Sequence, residues 1–354
     1  MNQVSSSPSR LITEFNLAAS RLDAAAWSEL RGSRILLTGG TGFVGKWLLG
    51  SLLAADRIHH LGVQVCVLTR DPIGFTELHP ELASGSGVEF VKGDICHIAQ
   101  VLIGRSFTHV IHAATEASAK LNREDPLRMI DTIVNGTLEL LRLLASAPPH
   151  KLLFVSSGAV YGPQPANLTG LPEDWSGGPD PLGAGCAYHE AKRLAEQLCA
   201  AAARSQGLPH VGFARLFAFV GPYLPLDTHF AIGNFIRDAL AGKTITLSGD
   251  GSTVRSYLYA ADMAAWIWAS LLRGAHLRPY NIGSSHAVST AELAHCVAHF
   301  AEPAVPVDIR GKPNGQPIDR YVPNTRRACD ELGVTEWTSL ADAIRLTITH
   351  HRAA

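Results

Sequence analysis

Two observations set the expected fold. The first is a glycine cluster, Thr38 to Gly45, lying between a short apolar run and a helix-like stretch; the second is an alternation of β-rich runs with longer helical segments to about residue 222. Strands joined by helical crossovers require a parallel sheet covered on both faces. We therefore expect an α/β fold: a Rossmann-like doubly wound parallel sheet built mainly from residues 33–222, with a smaller mixed α/β substrate lobe mainly from 223–354. Segments near 260–285 are expected to return to the sheet domain, and residues 1–32 form an N-terminal extension.

Each element has its own signal. Leu11 to Leu30 is helix-like and alanine-rich, and Arg34 to Leu37 reads as a buried strand ending at the glycines. A helix follows over Phe43 to Ala55, then strands Val63 to Leu68, Val88 to Val91 and His109 to His112. A long helix, Pro126 to Ala145, leads to a strand at Leu152 to Val155. The Gly/Pro-rich loop Tyr161 to Gly185 is long enough to suggest function, and precedes a helix at Tyr188 to Ala203 and a strand at Val211 to Leu216. Beyond Gly221-Pro222 the alternation fades into short strands, at Thr244 to Leu247, Arg255 to Tyr259 and Tyr280 to Ile282. Ser289 to Glu292 is a capping box that opens a helix toward Phe300.

Composition narrows the function classes. With 354 residues, 46% hydrophobic and 17% charged, the chain can bury a large core. A formal net charge of -1 gives no long-range field for nucleic acid or an anionic membrane, and neither is expected as a partner. No run approaches the roughly 20 apolar residues of a membrane span. The Ser-rich Met1 to Arg10 lacks the features of a secretory signal, so a cytoplasmic location is expected. The six cysteines are scattered, without C-x-x-C, and the histidines form no H-E-x-x-H; they read as reduced packing residues, with no metal site.

Gly40, Gly42 and Gly45 fit G-x-G-x-x-G, and Gly39, Gly42 and Gly45 fit G-x-x-G-x-x-G. Such a turn lets a pyrophosphate approach the helix N-terminus and lets helix and strand pack closely. Gly39, Thr41, Gly42, Phe43 and Val44 are its expected contacts with a dinucleotide. The second strand normally ends in an acid that holds the adenosine ribose of NAD; here Thr69 stands there, with Arg70 next to it. An arginine can pair with a 2′-phosphate, which favours NADP(H) modestly over NAD(H), while Asp71 offers an alternative ribose ligand.

Tyr188 and Lys192 are four residues apart at the start of a helix and share one face. Ser157 follows a strand, at the carboxyl edge where open α/β sheets bind ligands. Together they can form a proton relay: Tyr188 as acid/base at a carbinol oxygen, Lys192 lowering its pKa and holding the nicotinamide ribose, and Ser157 bonding the reacting oxygen. Bringing a phenol from a pKa of about 10 to about 7 needs roughly 4 kcal/mol of differential stabilisation.

With these residues in view, the chain resembles the extended short-chain dehydrogenase/reductases, specifically the nucleotide-sugar epimerases, reductases and dehydratases, from Ile35 to the last helix. Further markers are Gly93-Asp94, His112-Ala113-Ala114, Ser156 to Gly162, Gly221-Pro222, Gly249 to Tyr257 with Asp262, and Asn281-Ile282-Gly283. The resemblance implies that Asp94 and Ile95 lie at the adenine end of the cofactor, with Ala113 and Ala114 also against it. It implies that Arg255 binds the diphosphate of a nucleotide-diphosphate sugar, for which a guanidinium is the natural bidentate partner. His229 and Asn234 fall where the family builds its sugar and nucleotide pocket. A homodimer is one assembly left open.

Departures from the pattern sharpen the expectation. The family's 4,6-dehydratases carry acids after the serine or threonine, and here Gly158 and Ala159 stand there. Ala218 and Ile133 replace an asparagine usual in relatives. The sequence thus looks like a 4-epimerase or 4-keto reductase. The alternatives are an NADPH-dependent reductase of a non-sugar carbonyl, a dehydratase with relocated acid/base, drawing on Glu173 or Asp174 in a loop where acids ordinarily stay solvated, and a non-catalytic dinucleotide-binding protein. His112 reads as strand-end packing, and Trp266 and Trp268 as core.

Overall fold

The computed structural model describes residues 7–353 except 86, 116–118, 229, 314 and 316. Its centre is a sheet of seven parallel strands. They are β1 (Arg34–Thr38), β2 (Gln64–Thr69), β3 (Val88–Lys92), β4 (His109–His112), β5 (Lys151–Ser157), β6 (Val211–Leu216) and an edge strand, Pro279–Ile282. Their order is β3-β2-β1-β4-β5-β6 followed by the edge strand. The direction of winding therefore reverses between β1 and β4, and the crevice above their carboxyl ends is where such sheets hold ligands.

The predicted strands lie in place, with ends shifted by a residue or two. Arg255 to Tyr259 instead divides into Val254–Arg255 and Leu258–Tyr259, which pair with different neighbours. The helix-like run Leu11 to Leu30 likewise breaks into α1 (Ser7–Ser20) and α2 (Ala24–Ser28), because Asp23 leaves the helix to cap α2 through the Ala26 N–H at 2.8 Å. Beside the main sheet lie small sheets, including Ile245–Leu247 with Val307–Ile309, and Val254–Arg255 between Val288–Ser289 and Arg320–Tyr321.

One face of the sheet carries α3 (Phe43–His59), α1 and the helix Ala260–Arg273, whose residues 260–272 are all buried. Trp266 and Trp268 sit in this core, and each satisfies its indole N–H, on the Thr335 carbonyl at 3.0 Å and the Ser51 hydroxyl at 3.0 Å. The helix α1 seats Phe15 against Gly50 of α3, a position where any Cβ would strike the ring. The other face packs Pro126–Ala145 against Ala187–Ser205. Among the described residues no helix is long and apolar enough to cross a membrane.

Candidate active site

The glycine turn is built for close approach. Gly39 has φ +71°, in the left-handed region, and a Cβ there would lie 2.5 Å from the Ala113 carbonyl oxygen. Gly45 lets α3 press on the turn, since its Cβ would collide with the backbone of Gly39 and Gly40. Gly42 differs: a Cβ would meet only the Gly39 carbonyl oxygen, at 3.5 Å, so the protein's own packing does not demand glycine there. No side chain caps α3 at Gly42. A helix N-terminus without a side-chain cap, faced by a bare glycine, fits a dinucleotide pyrophosphate.

The far wall of the crevice is fixed by His112. The Thr137 hydroxyl donates to the Ile133 carbonyl at 2.6 Å, so its oxygen is left to accept from His112 Nε2 at 3.2 Å. His112 Nδ1 then accepts from the Thr38 hydroxyl at 2.8 Å, and Thr38 Oγ1 accepts from the Ala114 N–H at 3.2 Å. Burial, helped by the nearby Lys192, pushes the His112 pKa down to about 3, which keeps the ring neutral as this chain of bonds requires. His112 is thus a buried packing residue that also ties Ala113-Ala114 to the glycine turn.

After β3, Asp94 caps a short 3-10 turn through the Cys96 N–H at 2.9 Å, with Ile95 buried behind it. Thr69 is buried at the end of β2 and Arg70 is exposed beside it. Asp71 already accepts from the Gly74 N–H at 3.1 Å as the cap of Pro72–Leu78, which weakens the case for it as the ribose ligand.

Tyr188 and Lys192 project from one helix toward the end of β5. Lys192 is 1% exposed, and its ammonium donates to the Val155 carbonyl at 2.9 Å and sits 6.0 Å from the Tyr188 ring centroid. Burial lowers its pKa to about 8, opposed by Glu196 one turn on, so it remains largely charged at neutral pH. Burial raises the Tyr188 pKa, and a hydrogen bond with Ser157 opposes the rise. Ser157 Oγ accepts from the Ala159 N–H at 3.1 Å. Asn122 orients the start of the helix: its Oδ1 accepts from the Tyr188 N–H at 3.1 Å and its Nδ2 donates to Gly185.

Two parts of this centre give no local signal in the sequence, Asn122 and Tyr321. Tyr321 arrives on the two-residue strand Arg320–Tyr321, and its hydroxyl lies beside Gly158 and donates to the Leu216 carbonyl at 3.5 Å. Arg255 lies next to Tyr321 in register and is held by Asp319, with Nη2 donating to Oδ2 at 2.6 Å. Asn234 lies on the helix Ala231–Leu240, its side-chain oxygen accepting from Arg237 at 3.0 Å, and His229 lies outside the described residues.

The expectation that Glu173 stays solvated is corrected. It is 7% exposed, accepts from the Asn281 N–H at 3.0 Å and faces Arg327 at 3.8 Å. The loop is pulled inward because Arg215, bonded twice to Glu196 at 2.9 and 2.7 Å, also donates to the Glu173 carbonyl at 3.1 Å. Among the described residues no group of His, Cys, Asp or Glu could hold a metal ion.

Comparison with known proteins shows the family. A family model described as the NAD dependent epimerase/dehydratase family matches residues 35–283. UDP-glucuronic acid decarboxylase 2 of Arabidopsis thaliana is 29% identical over 322 residues, covering 91% of this chain and 69% of that protein. UDP-glucuronic acid decarboxylase 1 of Xenopus tropicalis is 27% identical, over 92% of this chain and 73% of its own. Among solved structures, the Thermus thermophilus UDP-glucose 4-epimerase in complex with NAD superposes with a TM-score of 0.76 at 28% identity, covering 91% of this chain and 99% of that one. The dTDP-glucose 4,6-dehydratase of Streptomyces venezuelae, solved with NAD, gives 0.74 at 26% identity, covering 90% and 97%. Matched by the family model over residues 35–283, the chain belongs to the NAD dependent epimerase/dehydratase family.

Proposed function

We propose that this enzyme transfers hydride at C4 of a nucleotide-diphosphate sugar, as a 4-epimerase or a 4-keto reductase. The observation that carries the reading is the meeting of Tyr188, Lys192 and Ser157 beside the glycine cradle, with Gly158 and Ala159 bringing no carboxylate. A nicotinamide, when bound, supplies the hydride acceptor or donor. Tyr188 exchanges a proton with the C4 oxygen, Ser157 hydrogen-bonds that oxygen, and the Lys192 ammonium favours the phenolate and holds the cofactor ribose. Gly39, Thr41, Gly42, Phe43 and Val44 cradle the pyrophosphate, with Asp94, Ile95, Ala113 and Ala114 along the remainder of the cofactor. Arg255 takes the sugar nucleotide's diphosphate, exchanging Asp319 for it, and Asn234 is a further candidate contact for the sugar nucleotide.

Arg70 favours NADP(H) modestly over NAD(H). Exposed Leu127 and Ile130 on one helix and Leu194 on its neighbour suit a homodimer contact.

A second reading has one specific support, the decarboxylases among the relatives. Oxidising C4 of a sugar bearing a C6 carboxylate creates a β-keto acid, and the same three residues could serve that step. The experiment is incubation of purified protein with nucleotide hexoses, nucleotide hexuronates and 4-keto sugars, with NAD or NADP, and product analysis by mass and NMR. An altered C4 with all carbons retained supports the main reading, and loss of CO2 from a hexuronate supports the second. No product from any member would contradict both.

A further inference from the structure

We propose that Lys46, His79, Glu81 and Tyr223 form a proton-operated latch, which fastens the chain leaving Gly221-Pro222 to α3 while His79 is neutral and releases it when His79 takes a proton. The inference does not depend on which reaction the site performs. Lys46 lies on α3, one turn after Gly42. His79 and Glu81 stand at the start of the short helix Pro80–Ala83, and Tyr223 follows Gly221-Pro222. Lys46 Nζ is 3.3 Å from His79 Nε2, and His79 Nδ1 is 3.3 Å from Glu81 Oε1. The Tyr223 hydroxyl donates to the same Glu81 oxygen at 2.5 Å, and the Lys46 ammonium closes the ring of contacts 4.4 Å from the Tyr223 ring centroid. Alongside, the Trp47 indole N–H donates to the Pro222 carbonyl at 2.9 Å. The chain after Gly221 is thus tied to the helix whose N-terminus forms the glycine cradle.

The bonding assigns the proton on His79. An ammonium can only donate, so Nε2 accepts from Lys46, and the single ring proton sits on Nδ1 and goes to Glu81. A second proton has only Nε2 to occupy, facing the ammonium; the Lys46 bond is then lost and two cations confront each other. Tyr223 supplies the release. Its φ of +69° is left-handed, a conformation that an aromatic residue keeps only where its surroundings impose it. Other groups bear on the cluster from three sides. Phe75 lies 5.0 Å from the His79 ring, and Phe15 of α1 stacks 6.4 Å from Tyr223. On the C-terminal helix Leu340–Ala353, His350 lies 5.8 Å from Tyr223, with His351 against it. Burial holds His350 down at about 4 and lowers His351 as well, so neither is the first to charge. Burial, then Lys46, also lowers the His79 pKa against the pull of Glu81. The latch is therefore closed at neutral pH, and opening gains as pH falls below the ordinary histidine value.

The test is amide hydrogen exchange of the whole protein at pH ~7.5 and pH ~5, corrected for the intrinsic effect of pH on exchange. The Leu224 N–H, which donates to the Gly221 carbonyl at 3.1 Å, reports the segment directly. Peptides covering residues 219–227 are expected to lose about tenfold in protection at the lower pH, measured relative to peptides of β5 so that any global loosening cancels. Tyr223→Phe, which removes only the hydroxyl, is expected to show the lower protection at both values. His79→Gln, which cannot take a proton, should show no pH response. Nitrogen NMR of labelled histidines, with His79 assigned by the same variant, should find the neutral ring protonated at Nδ1. An Nε2 proton on that ring, unchanged relative protection in the wild type, or a pH response that survives in His79→Gln would overturn the proposal. The wild-type exchange needs neither a variant that folds nor a substrate, so an unproductive sugar panel would contradict the reaction assignment while leaving the latch to be decided by exchange.

Discussion

Tyr188 and Lys192 are asked for different things, and substitutions should separate them. Tyr188→Phe removes only proton transfer: turnover is expected to fall by roughly 10² to 10⁴, with cofactor affinity within a few-fold of wild type by titration. Lys192→Ala should damage both, because one ammonium serves the phenol and the ribose. Near-normal activity in the first variant, or unchanged cofactor binding in the second, would count against these roles. The pair is visible in the sequence because a four-residue spacing on a helix is a local geometric fact, and Ser157 because strand ends mark the ligand edge. Tyr321 and Asn122 are not: each enters from a segment remote in sequence, and nothing in the local pattern at either position says where it points. Glu173 misled for a related reason, since its burial is imposed by Arg215 and Arg327 from distant elements. For Arg70, a single charge-assisted contact of about 1.5 to 3 kcal/mol corresponds to roughly ten- to a hundred-fold discrimination. Titration of wild type and Arg70→Ala with both dinucleotides should show an NADP preference that the variant loses; equal affinities in the wild type would remove the assignment.

Among elements, the strand-turn-helix of the cradle makes a prediction in which stability and binding part company. Gly45→Ala places a methyl group in the backbone of Gly39 and Gly40 and is expected to cost about 1 to 3 kcal/mol in a urea melt. Gly42→Ala meets only the Gly39 carbonyl at 3.5 Å and should melt like wild type, yet lose dinucleotide affinity roughly tenfold or more. If Gly42→Ala bound the cofactor normally, the pyrophosphate would not lie against that glycine. The sheet's elements were legible because each carries its own periodicity and turn residues, and the Ser289 capping box is formed as expected. The small strands after residue 222 were harder to place: at two or three residues, partners from elsewhere in the chain determine them, as the division of Arg255 to Tyr259 shows.

For the molecule as a whole, buried histidines should set its acid tolerance. His109 and His112 are each 2% exposed, and burial holds their pKa values at about 4 and about 3. The unfolded chain, with histidine near 6.5, binds protons that the folded chain refuses, so stability is full above that value and lost as pH falls toward the folded values. By pH ~5 each contributes a loss on the order of 2 kcal/mol, and urea midpoints should drop between pH ~7 and pH ~5. A midpoint unchanged over that range would show that the rings are protonated in place. The chemistry of the assembled site is tested most directly by one measurement: NMR of the nucleotide sugar formed in D2O with the cofactor present. Hydride transfer predicts protium at C4 of the product, because that hydrogen comes from sugar or nicotinamide and never from solvent. Deuterium at C4 would contradict the account, and deuterium at C5 with loss of water would restore elimination as the reaction.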